Sequence, residues 1–269
     1  MIIGVISLGL IGGSILKALS DKNYTVKAVT RNKETIEEAK QYTPYVSDDY
    51  GILRDCDVVF VASPINKTIE VLDKLESFVS SDCIVLDCAS VKEFVMQKQR
   101  PYKFIGSHPM AGTENSGFSA SFKELFEGAK WVLTPSESIL EQDILKVKQI
   151  IEEMKAEVVL STAKEHDMAV ALISHMPLLV SQALFHCASD NKLALKLASS
   201  GFRDMTRLSM SNLEMAEDMR NYNAQNIDIS VQKLISSIDF LKNTKVPQIY
   251  ADIKNIRRSM YSSEGKNLL

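Results

Sequence analysis

The chain has 269 residues, 45% of them hydrophobic and 24% charged, with a formal net charge of −3 at pH 7. This is the make-up of a soluble globular protein, one large domain or two modest ones. Charges of mixed sign leave no basic field for nucleic acid.

Met1 leads directly into the apolar run IIGVI, so no signal or transit peptide is expected. That run reads as a parallel strand covered on both faces. LIGGSILKALSD follows as a helix, YTVKAVT as a second strand and KETIEEAKQ as a second helix. DVVFVAS is strand-like, and NKTIEVLDKLESF is a helix with Ile69, Leu72, Leu75 and Phe78 on one side. CIVLD is a strand, SVKEFVMQKQ a helix and KFIG a strand; a loop rich in Gly, Pro and Ser follows. WVLT, a helix over about 139–154, and EVVL complete the half. Repeated β-α-β units with short connections predict an α/β fold, a doubly wound parallel sheet over 1–162.

From 163 to 269 the pattern turns helical, with segments over 164–190, 192–199, 212–221, 224–243 and 248–262. Several are apolar around much of their circumference, as expected in an all-α domain buried in a bundle or against a second copy. Met168–Ala188 is about as long as a membrane span. His175, Gln182, His186 and a central Pro177 interrupt it, so it reads as a buried core helix kinked at the proline and not as a span. Cys56, Cys83, Cys88 and Cys187 lack zinc-ligand spacing and read as buried thiols of a reducing cytoplasm; no metal site is expected.

Between the first strand and first helix stands ISLGLIGGS, a G-x-G-x-x-G turn with Ser7 in place of the first glycine. In that context the backbone of Ser7, Leu8, Gly9, Leu10, Ile11 and Gly12 forms a pyrophosphate cradle at a helix N-terminus. Gly9 admits the phosphates, and Gly12 lets helix pack on strand. A positive φ at Ser7 costs on the order of 1–3 kcal/mol, which is tolerable. The second strand ends in Thr30, Arg31 and Asn32, with no acid for a ribose 2′-hydroxyl. A hydroxyl beside an arginine suits a 2′-phosphate, so NADP is favoured over NAD.

GSHPMAGTENSG (106–117) reads as a loop beyond a strand, on the ligand side of such a sheet. His108 there is placed to accept a proton from a substrate hydroxyl as hydride leaves the adjoining carbon, unless it is a turn histidine bonded to backbone. A second loop, ASSGFRDMTR (198–207), holds Arg203, Asp204 and Arg207, either an anion clamp with its own carboxylate or a surface ion pair. His175, in an apolar helix before a proline, is of a kind more often satisfied in a core than used as a ligand.

GLIGGS, SPI, DCASVK, GSHPMAGTE, ISHMP and SSGFRDMTR occur here in the order found in prephenate and arogenate dehydrogenases, and the chain resembles that tyrosine-pathway family along nearly its whole length. The resemblance implies oxidative decarboxylation of a cyclohexadienyl substrate, with hydride passing to NAD or NADP. It implies that His108 takes the ring-hydroxyl proton and that Ser90 orients His108 near the nicotinamide. It implies that Ser63 and Pro64 line the nicotinamide pocket, and that Arg207 binds a substrate carboxylate in a clamp with Asp204 and Arg203. His175 would line the substrate pocket and Glu114 its mouth, with a homodimer formed through the helical domain. Leu178 stands where many prephenate enzymes carry a second histidine, and Met215-Ala216 where a tryptophan is common. Both departures, with SHMPLLVSQAL, resemble the arogenate-using, NADP-linked cyanobacterial type. A β-hydroxyacid or imine reductase, or a non-catalytic NADP-sensing dimer, would share the glycine turn without needing both His108 and Arg207.

Overall fold

A computed structural model describes residues 1–113, 115–244 and 247–261. Its strands are β1 (Ile2–Ile6), β2 (Thr25–Val29), β3 (Val46–Ser47), β4 (Val58–Val61), β5 (Ile84–Asp87), β6 (Lys103–Pro109), β7 (Lys130–Pro135) and β8 (Glu157–Leu160). They form one eight-stranded sheet in the order β3-β2-β1-β4-β5-β6-β7-β8. All neighbours are parallel except β6 and β7. The strand order reverses between β1 and β4, and ligands of such sheets sit at the carboxyl ends beside that reversal.

Strand alternation explains the two cores. Ile3 and Val5 of β1 join one cluster with Ile15, Leu16 and Leu19, while Ile6 joins the other with Leu72 and Leu75. The first cluster is closed by α1 (Leu10–Ser20) and α4 (Glu141–Glu153), the second by α3 (Ile65–Leu75). Burying each of these leucines and isoleucines contributes about 1.5–3 kcal/mol. The short α2 (Lys33–Ala39) buries only Ala39 and is capped by Asn32, whose side chain accepts the Thr35 N–H at 3.1 Å.

Three expectations change here. SVKEFVMQKQ is not a helix but a run of turns, because the N–H groups of Lys92 and Glu93 donate to Asp167 instead of to a local turn. Strand β6 runs on to Pro109, so His108 lies in the sheet opposite Val132 and not in a loop. The short β3 is an additional edge strand.

Beyond β8 come α5 (Ala163–Val170), a π-helical turn over Ala171–His175, α6 (Met176–Ser189), α7 (Lys192–Leu197) and α8 (Ser200–Thr206). A 3-10 turn at Arg207–Met210 leads to α9 (Leu213–Tyr222), α10 (Ala224–Asn243) and α11 (Pro247–Tyr261). The chain groups into two compact units, Met1–Ile227 and Asp228–Leu269. Thr162 and Glu165 cap α5 reciprocally. In the π turn the Met176 N–H reaches back to the Ala171 carbonyl, which accommodates the missing N–H of Pro177.

The continuous helix Ala163–Ser189 is long and apolar enough to cross a membrane, and only 28% of its most apolar window is buried. It is therefore not the fully buried core helix the sequence suggests; Ile173 and Phe185 are exposed. Cys56 and Cys83 are buried, whereas Cys187 is exposed.

Candidate active site

The glycine turn lies at the carboxyl end of β1. Ser7 takes φ 69°, and its N–H donates to Val29 O on β2 at 2.9 Å. Gly9 caps α1 with no side-chain hydrogen bond, and a Cβ built on it meets nothing within 4 Å. Gly9 thus faces open space at the positive end of the helix, while Leu10 and Ile11 are half-buried and Gly12 is buried. This is the shape and polarity a pyrophosphate needs, so the residues present fit a dinucleotide.

A cleft of about 700 Å³ runs from this turn. Ser7, Leu8, Gly9, Thr30, Arg31, Asn32, Ser63 and Pro64 line it, as the sequence predicts. Lys67, Lys74, Tyr50 and the acids Glu34, Glu38 and Asp48 line it too, and sequence reasoning had not singled them out. Lys74 sits 3.9 Å from the Tyr50 ring centre. Ser63 is held by Thr68 through a hydroxyl–hydroxyl bond of 3.2 Å.

Next to this cleft's strands, β5 and β6 carry a buried polar network. Asp87 ends β5, accepts the Ser107 N–H at 2.9 Å and pairs with the Lys92 ammonium; both side chains are wholly buried. Lys92 also donates to Ser107 O at 2.6 Å, and Trp131 Nε1–H donates to Ser107 Oγ at 3.2 Å. Desolvation pushes the Lys92 pKa down, and Asp87 opposes that. The residue fixed by all this is the neighbour of His108.

His108 Nδ1 lies 2.9 Å from His166 Nε2, and His166 Nδ1 lies 2.7 Å from Asp167 Oδ1. Burial, then the charges of His166, Lys92 and His175, hold His108 well below the usual histidine pKa. It is thus a neutral imidazole at pH 7. Among the described residues Ser90, expected to orient His108, makes no hydrogen bond to it, and His108 Nδ1 faces His166 instead. His166 and Asp167 escaped the sequence reading, although the adjacent His-Asp pair just inside a capped helix was a signal.

His175 is buried at 2% exposure. Its Nδ1 faces Asn223 Nδ2 at 3.1 Å, which makes Nδ1 the acceptor and leaves the proton on Nε2. That Nε2 has no partner among the described residues. Desolvation lowers the His175 pKa to about 4. It is not the satisfied core histidine that a bare count would favour.

The expected clamp is not assembled within the chain. Residues 200–206 are helix α8 rather than loop, and Arg203 pairs with Asp204 at 3.3 Å with both side chains exposed. Arg207 opens the following 3-10 turn, exposed and without an ion pair among the described residues. Glu114 lies outside the described residues.

Comparison with known proteins places the chain in a family. Residues 15–160 match the family model "Prephenate dehydrogenase, nucleotide-binding domain", and 162–258 match "Prephenate dehydrogenase, dimerization domain". The Bacillus subtilis prephenate dehydrogenase is 31% identical over 93% of this chain and 71% of its own length. The crystal structure of Synechocystis arogenate dehydrogenase has 33% identity and a TM-score of 0.86, covering 97% of this chain and 100% of that one. Prephenate dehydrogenase from Aquifex aeolicus, in complex with hydroxyphenyl propionate and NAD+, has 27% identity and a TM-score of 0.83, over 97% and 98% of the two chains. With matches running from Ile15 in α1 to Arg258 in α11, the chain belongs to the prephenate dehydrogenase family, dehydrogenases that work with a nicotinamide dinucleotide.

Proposed function

We propose that this chain oxidatively decarboxylates a cyclohexadienyl acid, arogenate in preference to prephenate, with NADP in preference to NAD. The observation that carries the reading is the neutral His108 imidazole, held by a buried network at the carboxyl edge of the sheet that bears the glycine turn. His108 Nε2 takes the proton of the ring hydroxyl while hydride leaves the adjoining carbon. The nicotinamide, when bound, supplies the hydride acceptor. The carboxylate departs as CO₂, its bonding pair enters the ring, and the phenolate oxygen recovers the proton from His108. Aromatisation drives the step, and the products are tyrosine from arogenate or 4-hydroxyphenylpyruvate from prephenate.

Arg207 holds a substrate carboxylate, Asp204 and Arg203 belong to the same charged face, and His175 offers its Nε2–H to the substrate. Ser90 lies beside the nicotinamide and Glu114 at the pocket mouth. Preference for arogenate is supported by the likeness to the Synechocystis enzyme and by Leu178. Arg31, with Lys67 and Lys74 in the same cleft, supports NADP. The second reading is NAD, which Glu34, Glu38 and Asp48 in that cleft favour.

Residues 1–162 act as the dinucleotide domain and 163–269 as the substrate and dimerisation domain of a cytoplasmic homodimer. Exposed apolar side chains of the helical part, among them Ile173, Leu197 and Met210, suit a second copy. A His108→Ala variant tests the catalytic claim. Turnover is expected to fall on the order of 10²–10⁴-fold with cofactor binding unchanged; full turnover in the variant contradicts it.

A further inference from the structure

The two histidines at the site present opposite polarities, and their partners explain why. His175 receives a proton donor, the Asn223 amide, and so carries its own proton on Nε2. His108 faces a chain that ends in a carboxylate. Asp167 Oδ1 accepts the Lys92 N–H at 2.7 Å, and Oδ2 accepts the Glu93 N–H at 2.8 Å. Toward His166 this carboxylate acts as an acceptor, so His166 carries its proton on Nδ1 and presents a lone pair on Nε2. His108 Nδ1–H must then donate to that lone pair. Its Nε2 is left without hydrogen, the form a base requires.

We propose that His166 and Asp167 are a positioning pair for His108, fixing the tautomer with a free Nε2 and accepting charge from it during turnover. The proposal rests on the reading of His108 as the base. When Nε2 takes the substrate proton, the Nδ1 proton can pass along the 2.9 Å hydrogen bond to His166 Nε2. His166 is then an imidazolium against the Asp167 carboxylate, and the reverse transfer returns the proton to the product oxygen. The relay conserves protons and electrons within the three side chains and the substrate.

The surroundings make such a sink useful. His108 faces the Lys92 ammonium from the segment after β5, His166 from α5 and His175 from the π turn, all of which oppose a positive charge on it. Asp87 is engaged by Lys92, so Asp167 is the carboxylate that answers His108. His166 and Asp167 are 3% and 1% exposed, so water does not replace either of them in this role.

The test combines an activity readout with one that needs no substrate. Long-range proton–nitrogen NMR of the wild-type protein is expected to show His108 protonated on Nδ1 at neutral pH. In Asp167→Asn the amide donates to His166 Nδ1, both rings reverse, and His108 moves its proton to Nε2. That variant is expected to lose on the order of 10³-fold in kcat, KM changing far less, with cofactor affinity intact. His166→Ala provides a second variant. Its acid limb of kcat/KM is expected to move, because the group that shares the His108 proton and opposes positive charge on that ring is gone; a merely structural role would lower the profile without moving it. Wild-type His108 protonated on Nε2 overturns the proposal. So does a kcat kept within about 3-fold of wild type in a folded His166→Ala or Asp167→Asn. If the wild-type protein turns over no cyclohexadienyl acid yet shows the Nδ1 proton and its reversal in Asp167→Asn, the positioning pair stands and the reading of function falls.

Discussion

Gly12 packs so closely on Ser7 that a Cβ added to Gly12 would lie 2.1 Å from the Ser7 carbonyl oxygen. Ser7 in turn holds φ 69°, a conformation that favours glycine. The missing first glycine of the turn thus costs strain, while the glycine that lets helix meet strand has no substitute. Gly12→Ala is expected to lose cofactor binding and destabilise the fold by several kcal/mol, since the obstructing atom is backbone. Ser7→Gly is expected to keep binding and gain up to about 1 kcal/mol. Denaturant melts with cofactor titration check both.

The Asp87–Lys92 pair is fully buried and ties β5 to β6 beside His108. Removing one charge leaves the other unpaired and is expected to cost about 3–5 kcal/mol in Lys92→Met or Asp87→Asn. The double variant is expected to recover part of that loss. A double-mutant cycle by chemical denaturation measures the coupling, and strictly additive losses contradict it.

Acid sensitivity follows from His175. Its folded pKa, about 4, lies below the unfolded value of a histidine. The unfolded chain therefore binds more protons between these values, and stability falls as pH drops from about 6.5 to 4, on the order of 3 kcal/mol in total. His108, also depressed, adds in the same direction. His175→Gln is expected to flatten this slope; an unchanged slope in urea melts from pH 7 to 4 contradicts the assignment.

Arg31 lines the cofactor cleft, is exposed, and follows β2 with no acid at the strand end. If it grips a 2′-phosphate, Arg31→Ala is expected to weaken NADP binding about 10- to 100-fold and NAD binding little. Fluorescence titration with both cofactors decides this. Equal weakening shifts the assignment to NAD and to the acids of the same cleft.

Sequence alone revealed the elements whose signal is local. Strand β1, helix α1 and strand β2 end within a residue or two of expectation, because apolar periodicity and the glycine turn are properties of neighbours in the chain. The segment after β5 failed that logic: SVKEFVMQKQ has helical spacing, but Asp167 captures two of its amides across 75 and 74 residues. The chemistry of His108 divides in the same way. Its candidacy was visible in GSHPMAGTE, whereas its partner was not, since His166 is 58 residues away and only the fold brings them to 2.9 Å. GFRDMTR marked the family, yet its arginines point to no clamp within one chain, because Arg203 is satisfied locally by Asp204.

The most direct test of the account offers the purified protein prephenate or arogenate, each with NAD or NADP, and follows reduced nicotinamide by absorbance. The account predicts turnover led by arogenate with NADP. Turnover led by prephenate with NAD would keep the reaction and reverse both preferences. No turnover in any of the four combinations, by folded protein that binds the cofactor, would contradict the central claim.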